Sequence, residues 1–305
     1  MTRPLPPPGA HGGDGPLLAA ALGIPESDVL DLSVSLNPNA PDVAAIVARH
    51  ATSVRRYPDS SVARDALAAA MAVDPARVVL TNGGAEAIAL VAAHMPVGNV
   101  ESPDFSLYER HLSNVQAGAP LWRSNPNNPT GRLAGNNEYA GVWDEAFYPL
   151  ATGCWTRGDD KVIVVGSLTK VYACPGLRIG YVLAPTGDIA RAIATRQSEW
   201  SVNSIACAVL PELLAATDLR GWARSIALQR VQMENLLRDH RLEPDPSDAN
   251  YLLVRRAPGV RIHVARHGIV VRDTGSFGIA DGVRIAVPDD AGLERLDFAL
   301  QGWDS

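Results

Sequence analysis

Hydrophobic positions follow two rhythms along this chain. Short unbroken apolar runs recur, among them Val-Val-Leu-Thr at 78–81, Val-Ile-Val-Val at 162–165 and Tyr-Leu-Leu-Val at 251–254. Runs of that length predict buried strands. Longer stretches follow the helical period. The alanine-rich segments 63–72 and 85–94 predict helices. From 205 to 240, Leu210, Leu213 and Leu214, then Ile226, Val231 and Leu237, recur at helical spacing. That span is expected to be largely helical, with a bend or break at Pro211 and Gly221. Further strands are expected to begin at Val100-Glu101, to run from near Ile179 to Leu183-Ala184-Pro185, and to cover 282–287. A helix at 259–267 then gives the tail a strand–helix–strand order.

Composition narrows the class. The 305 residues fit one large domain or two modest ones, and 47% hydrophobic content supplies a core. A net charge of −6 without a basic run argues against nucleic acid as a partner. Cys154, Cys174 and Cys207 are scattered, odd in number and lack CxxC spacing. That pattern fits a reducing compartment without a disulfide framework. The opening segment is proline-rich and has no apolar core of the secretory kind, so it predicts a stiff extended arm. No apolar stretch approaches the ~20 residues that a bilayer span requires. The expected location is cytoplasmic, with no membrane or nucleic-acid partner.

Lys170 has the most chemistry around it. It stands in Ser167-Leu168-Thr169-Lys170, directly after the apolar run at 162–165, and Gly176-Leu177-Arg178 follows. Two hydroxyls and a guanidinium can hold a phosphate, and the amine can attack an aldehyde. Pyridoxal phosphate requires that combination from a protein. Upstream, the strand at 78–81, the turn Asn82-Gly83-Gly84 and the following helix gather free N–H groups and the positive end of a helix dipole. Such a point seats a phosphate, although a plain strand–helix connection has the same sequence. Two more segments lie between these. Asn125-Pro126-Asn127-Asn128-Pro129-Thr130-Gly131 forms turns, and Asp144-Glu145-Ala146-Phe147 follows the apolar Val142-Trp143.

The order NPNNPTG, DEAF, SLTK, PGLR resembles the fold-type I pyridoxal phosphate enzymes of the class I/II aminotransferase superfamily, over roughly residues 11–286. The likeness is greatest to the histidinol-phosphate aminotransferase branch, and within it to the threonine-phosphate decarboxylases. It implies an α/β fold. A large domain, 41–215, has a mainly parallel central sheet flanked by helices. A small α+β domain spans 216–305, and an N-terminal arm, 1–40, partly joins it. The stretches between Tyr108 and Asn125 and between Gly131 and Asp144 are shorter than in the family, so a trimmed sheet or a rebuilt edge is expected.

The resemblance also implies roles. Lys170 carries the cofactor and serves as acid and base, and Asp144 holds the proton of the ring nitrogen. Asn128 bonds the ring's 3-oxygen. Phe105, with Tyr108 second, stacks on the ring. Ser167, Thr169, Arg178 and the N–H groups of Gly84 and Ala85 clasp the phosphate. Tyr57 reaches the cofactor phosphate of the neighbouring subunit in a homodimer. Arg284 binds the substrate α-carboxylate and Arg272 a substrate phosphate, with Asn37 and His11 of the arm as further substrate contacts.

The reaction is open at this level, because the same cofactor supports loss of CO2 or of the α-proton. Phe147 stands where many aminotransferases have tyrosine, and the segments His11-Gly12-Gly13 and Trp200-Ser201-Val202-Asn203 resemble the decarboxylases. Gly166 departs from both groups, which usually carry arginine there. The expected function is that of a lyase of the threonine-phosphate decarboxylase kind, which makes the aminopropanol phosphate linker of cobalamin. The alternative is an aminotransferase for histidinol phosphate or an aromatic amino acid, and a third reading is a non-catalytic protein on the same fold. His263 and His267 have metal-ligand spacing but no third ligand, so no metal is expected.

Overall fold

The computed structural model of the chain describes residues 4–9 and 11–303. Met1, Thr2 and Arg3 of the proline-rich arm lie outside the described residues. The strands in chain order are β1 (Leu30–Asp31), β2 (Val78–Thr81), β3 (Val97–Val100), β4 (Asn114–Val115), β5 (Leu121–Ser124) and β6 (Val142–Asp144). They continue with β7 (Ile163–Ser167), β8 (Gly180–Leu183), β9 (Tyr251–Val254), β10 (Ile269–Val270), β11 (Arg272–Asp273) and β12 (Val283–Ala286).

Seven strands form the central sheet in the order β2-β8-β7-β6-β5-β3-β4. β8 is antiparallel to both its neighbours, and the other pairs are parallel. Both faces are covered, which explains the unbroken apolar runs. Side chains alternate across the sheet. Trp143, Val164, Tyr181 and Leu183 face one core with Leu67, Leu168, Tyr172 and Leu210. Val142, Ile163, Val165 and Val182 face the other, with Val91, Tyr108 and Trp122. β5, β6 and β7 are parallel neighbours, so their C-terminal ends Ser124, Asp144 and Ser167 open onto one rim. In open α/β sheets that rim is where ligands bind.

A third core lies around β9, β12 and the helix Asp290–Leu300, with Leu252, Val254, Ile285 and Leu296 among its members. β12 is the middle strand of the antiparallel order β11-β12-β9. β1, from the N-terminal segment, pairs in parallel with β10.

Several local expectations are corrected. β3 ends at Val100 rather than beginning there, and the helix after β2 starts at Gly83, two residues early. The helical span after 203 divides into Ser204–Ala215 and Leu219–Asp239, and neither Pro211 nor Gly221 makes the break. Asp218 makes it: its side chain accepts the Gly221 N–H at 2.8 Å and starts a new helix. The shortened segments leave the seven strands in place; residues 125–141 join two parallel strands without a helix.

Candidate active site

The rim at the ends of β5, β6 and β7 gathers most of the residues singled out by sequence. Lys170 lies on the helical turn Leu168–Val171 that leaves β7. Its Nζ donates to the Val34 carbonyl at 3.1 Å and stands 5.8 Å from the centre of the Phe147 ring. Burial, then the charges of Arg284 and Arg178, push the amine down to about 8. Asp144 closes β6 and is 9% exposed. It accepts the Ala146 N–H at 3.0 Å and the Tyr108 hydroxyl at 2.9 Å. Burial raises its pKa, against the pull of those donors and of Lys170. The amine and the carboxylate therefore act on each other.

A cradle forms beside them. The helix Gly83–His94 begins with two glycines, and Ser167 and Thr169 share a 2.6 Å hydroxyl contact. Arg178 lies against Gly83: a Cβ there would stand 2.3 Å from the guanidinium, and Gly83 has φ +78°. Only glycine meets both conditions. Arg178 itself has φ 53°, a strained conformation that functional sites tolerate. Gly84 sits beside Ser167, and the Gly84 and Ala85 N–H groups fall in the helix's first turn, where they have no carbonyl partner within the helix. Gly166 also has a packing reason. Its cross-strand neighbour is the buried Tyr181, whose ring occupies the space that any side chain at 166 would need.

Arg284 and Arg272 face each other on β12 and β11. They are 6% and 4% exposed. The position of Arg284 on a central strand rules out a surface role. Its guanidinium donates to Asn128 Oδ1 and, at 3.1 Å, to the Ser33 carbonyl. It lies over the Tyr251 ring, 4.8 Å from the centroid. Its Nε is buried without a partner. Burial pushes Arg284 down to about 10, with Arg272 adding to the effect. An arginine only donates, so Asn128 must turn its oxygen to it, which leaves the amide NH2 as the donor for another group. Arg272 donates to the Gly9 carbonyl at 3.0 Å and to Ser276 at 2.8 Å.

The arm reaches the same region. His11 meets Phe105 edge-on at 6.2 Å, and Phe105 meets Tyr108 at 5.9 Å. Asn37 is buried, and its amide donates to the Val171 carbonyl at 2.9 Å, so it straps the lysine turn. Tyr57 stands apart: it is 78% exposed and stacks on Trp200 at 4.6 Å. Tyr108 is fully buried with its hydroxyl on Asp144, which makes it a partner of the carboxylate rather than a stacking face. Sequence reasoning passed over Asp104 and Ser124, which pack behind Asp144. Asp104 sits four residues before Tyr108, and nothing local marks it as buried. His263 Nε2 donates to the Ala299 carbonyl, 2.8 Å away.

The chain was compared with known proteins. The aminotransferase class I and II model matches residues 92–297. Histidinol-phosphate aminotransferase 1 of Dechloromonas aromatica is 26% identical, covering 93% of each chain. Threonine-phosphate decarboxylase of Salmonella typhimurium is 28% identical, covering 96% of each. The solved histidinol-phosphate aminotransferase of Sinorhizobium meliloti, in complex with pyridoxal-5'-phosphate, superposes with a TM-score of 0.79 at 20% identity, covering 94% of this chain and 93% of that one. The chain is a member of the aminotransferase class I and II family, whose cofactor is pyridoxal phosphate.

Proposed function

We propose that this enzyme acts on a phosphorylated amino acid and releases CO2 from it, in the manner of a threonine-phosphate decarboxylase serving cobalamin synthesis. The observation that carries the reading is the pair of buried guanidinium groups, Arg284 and Arg272, on neighbouring strands, with Arg284 acting on Lys170. Buried like charges oppose each other, and Arg284, whose Nε is unpaired, favours a ligand that brings negative charge. A carboxylate plus a phosphate ester meets that demand.

The residues fit pyridoxal phosphate. The side-chain-free helix start, two hydroxyls and Arg178 suit a phosphate; Asp144 suits a protonated ring nitrogen; and the Asn128 NH2 suits a ring oxygen. When bound, the cofactor supplies an aldehyde for amine exchange and a ring that withdraws electrons from the substrate α-carbon. Lys170 Nζ, held at about 8, is available as a neutral nucleophile and afterwards as the group that holds or returns a proton. Arg284 orients the α-carboxylate by its fork and so decides which α-bond stands perpendicular to the ring. Phe147, buried and apolar, keeps water from the lysine. His11 and Phe105 close the outer side.

The exposed Tyr57–Trp200 pair supports a homodimer in which Tyr57 reaches the partner's site. The free cysteines and a phosphorylated metabolite as substrate support a cytoplasmic setting. The division at 40 and 215 remains our reading of the domains. A second reading, transamination of histidinol phosphate, is favoured by the relative from Dechloromonas aromatica. Incubation with threonine phosphate, and separately with histidinol phosphate plus 2-oxoglutarate, decides between them. CO2 release in the first supports the decarboxylase; oxo-acid consumption in the second supports the transaminase; neither, with cofactor bound, sinks both.

A further inference from the structure

The site contains a second buried carboxylate that the reading above does not use. Asp104, 8% exposed, follows β3. It accepts the Ser124 N–H at 3.1 Å, the Phe105 N–H at 2.7 Å and the Ser124 hydroxyl. Ser124 ends β5 and is the direct register partner of Asp144 on β6. Tyr108 donates to Asp144 at 2.9 Å, and Asp144, Asp104 and Ser124 all act on its hydroxyl. Hydrogen bonds thus join Asp104 to Ser124 and Tyr108 to Asp144, with Ser124 and Asp144 side by side in register.

The charged and titratable groups acting on this pair are Tyr108, Tyr181, Tyr251 and Lys170, and Lys170 is felt on the Asp144 side. Two carboxylates buried together with one cation at one end do not both ionise without cost. We propose that Asp104 and Asp144 share one proton across Ser124 and Tyr108, which makes Asp104 a positioning residue that sets the charge on Asp144. With the proton on Asp104, the hydroxyls align in one direction. Asp104 donates to Ser124 Oγ, Ser124 to Tyr108, and Tyr108 to Asp144, which keeps its negative charge for the ring nitrogen. Ser124 Oγ can also keep the Asn128 N–H, at 2.7 Å, because it accepts twice. When Asp104 loses its proton, Ser124 turns to donate to it, and the second anion strengthens proton binding at Asp144 and at the ring nitrogen. Burial pushes Asp104 up to about 7, so the switch falls near neutral pH.

The role assigned to Asp144 rests on the proposed function; the proton sharing does not, and the test separates them. Apoprotein carrying aspartate labelled with carbon-13 at the side-chain carboxyl is titrated by infrared spectroscopy. The label distinguishes aspartate from Glu145, which burial likewise pushes up to about 7. A protonated aspartate band that disappears around neutral pH, and is missing in Asp104→Asn, is expected. Loaded with pyridoxal phosphate, the wild type should show a shift of its visible absorbance with the same midpoint. Asp104→Asn should lose this shift, and Ser124→Ala should weaken it severalfold while keeping the infrared step. Absence of the labelled band in wild type overturns the proposal, even if both variants fail to fold. An absorbance step unchanged in both variants overturns the link to Asp144. An infrared step in a protein that never binds the cofactor supports the shared proton and overturns only the cofactor reading.

Discussion

Arg284 meets Asn128 and the Ser33 carbonyl with two separate nitrogens, a geometry that suits its planar fork. Arg284→Lys keeps the charge and loses the fork. Its kcat/KM is expected to fall about 100-fold, roughly 3 kcal/mol, with cofactor absorbance retained. Steady-state kinetics beside a visible spectrum checks this; equal loss of cofactor would point to a structural role. Glu145 gives a pH prediction. It is fully buried, and burial raises its carboxyl from 4.5 to about 7. Between those values the folded chain holds a proton that the unfolded chain has released, so stability falls as pH rises through that window. The loss is on the order of 3 kcal/mol. Glu145→Gln should flatten the slope in urea melts between about pH 5 and pH 8, with the remainder due to Asp104; an unchanged slope would contradict the assignment. Lys170, Asp144 and Arg178 were legible because each sits in a short string whose chemistry is local. Asp104 and Ser124 were not, because their partnership arises only where three strand ends meet in space.

Helix boundaries follow the caps more than the breakers. Pro211 lies inside Ser204–Ala215, where its missing N–H leaves one carbonyl, that of Cys207, without its usual donor. Gly221 lies in the first turn of Leu219–Asp239, where its N–H serves the Asp218 cap. Asp218→Ala should cost about 1 kcal/mol and lower the thermal midpoint by roughly 2–4 °C. Calorimetry measures it, and no change would mean that the cap is redundant. Strands β2, β7 and β9 were readable as apolar runs because both faces are buried. The two-residue strands β1, β4, β10 and β11 have no pattern long enough to detect, and tertiary pairing alone creates them.

Across the whole molecule, the candidate site joins the rim of the seven-stranded sheet to β12 through Asn128 and Arg284, and the N-terminal segment bonds to β11 and β12 through Gly9 and Ser33. The exposed aromatic pair Tyr57 and Trp200 predicts a homodimer, so light scattering should give about twice 32.3 kDa. Tyr57→Ala is then expected to weaken cofactor retention; a monomer with full activity would contradict a shared site. The α/β architecture was legible from motif order, whereas the helix-free link at 125–141 had to be seen. The most direct test concerns Lys170. The chain has only two lysines, and the other, Lys161, is exposed on the far side of the same strand from Lys170 in sequence. Protein loaded with pyridoxal phosphate, reduced with borohydride and mapped by mass spectrometry should carry the cofactor on the peptide containing Lys170, with Lys170→Ala unlabelled. Label on Lys161 or the amino terminus alone, or none, would contradict the account.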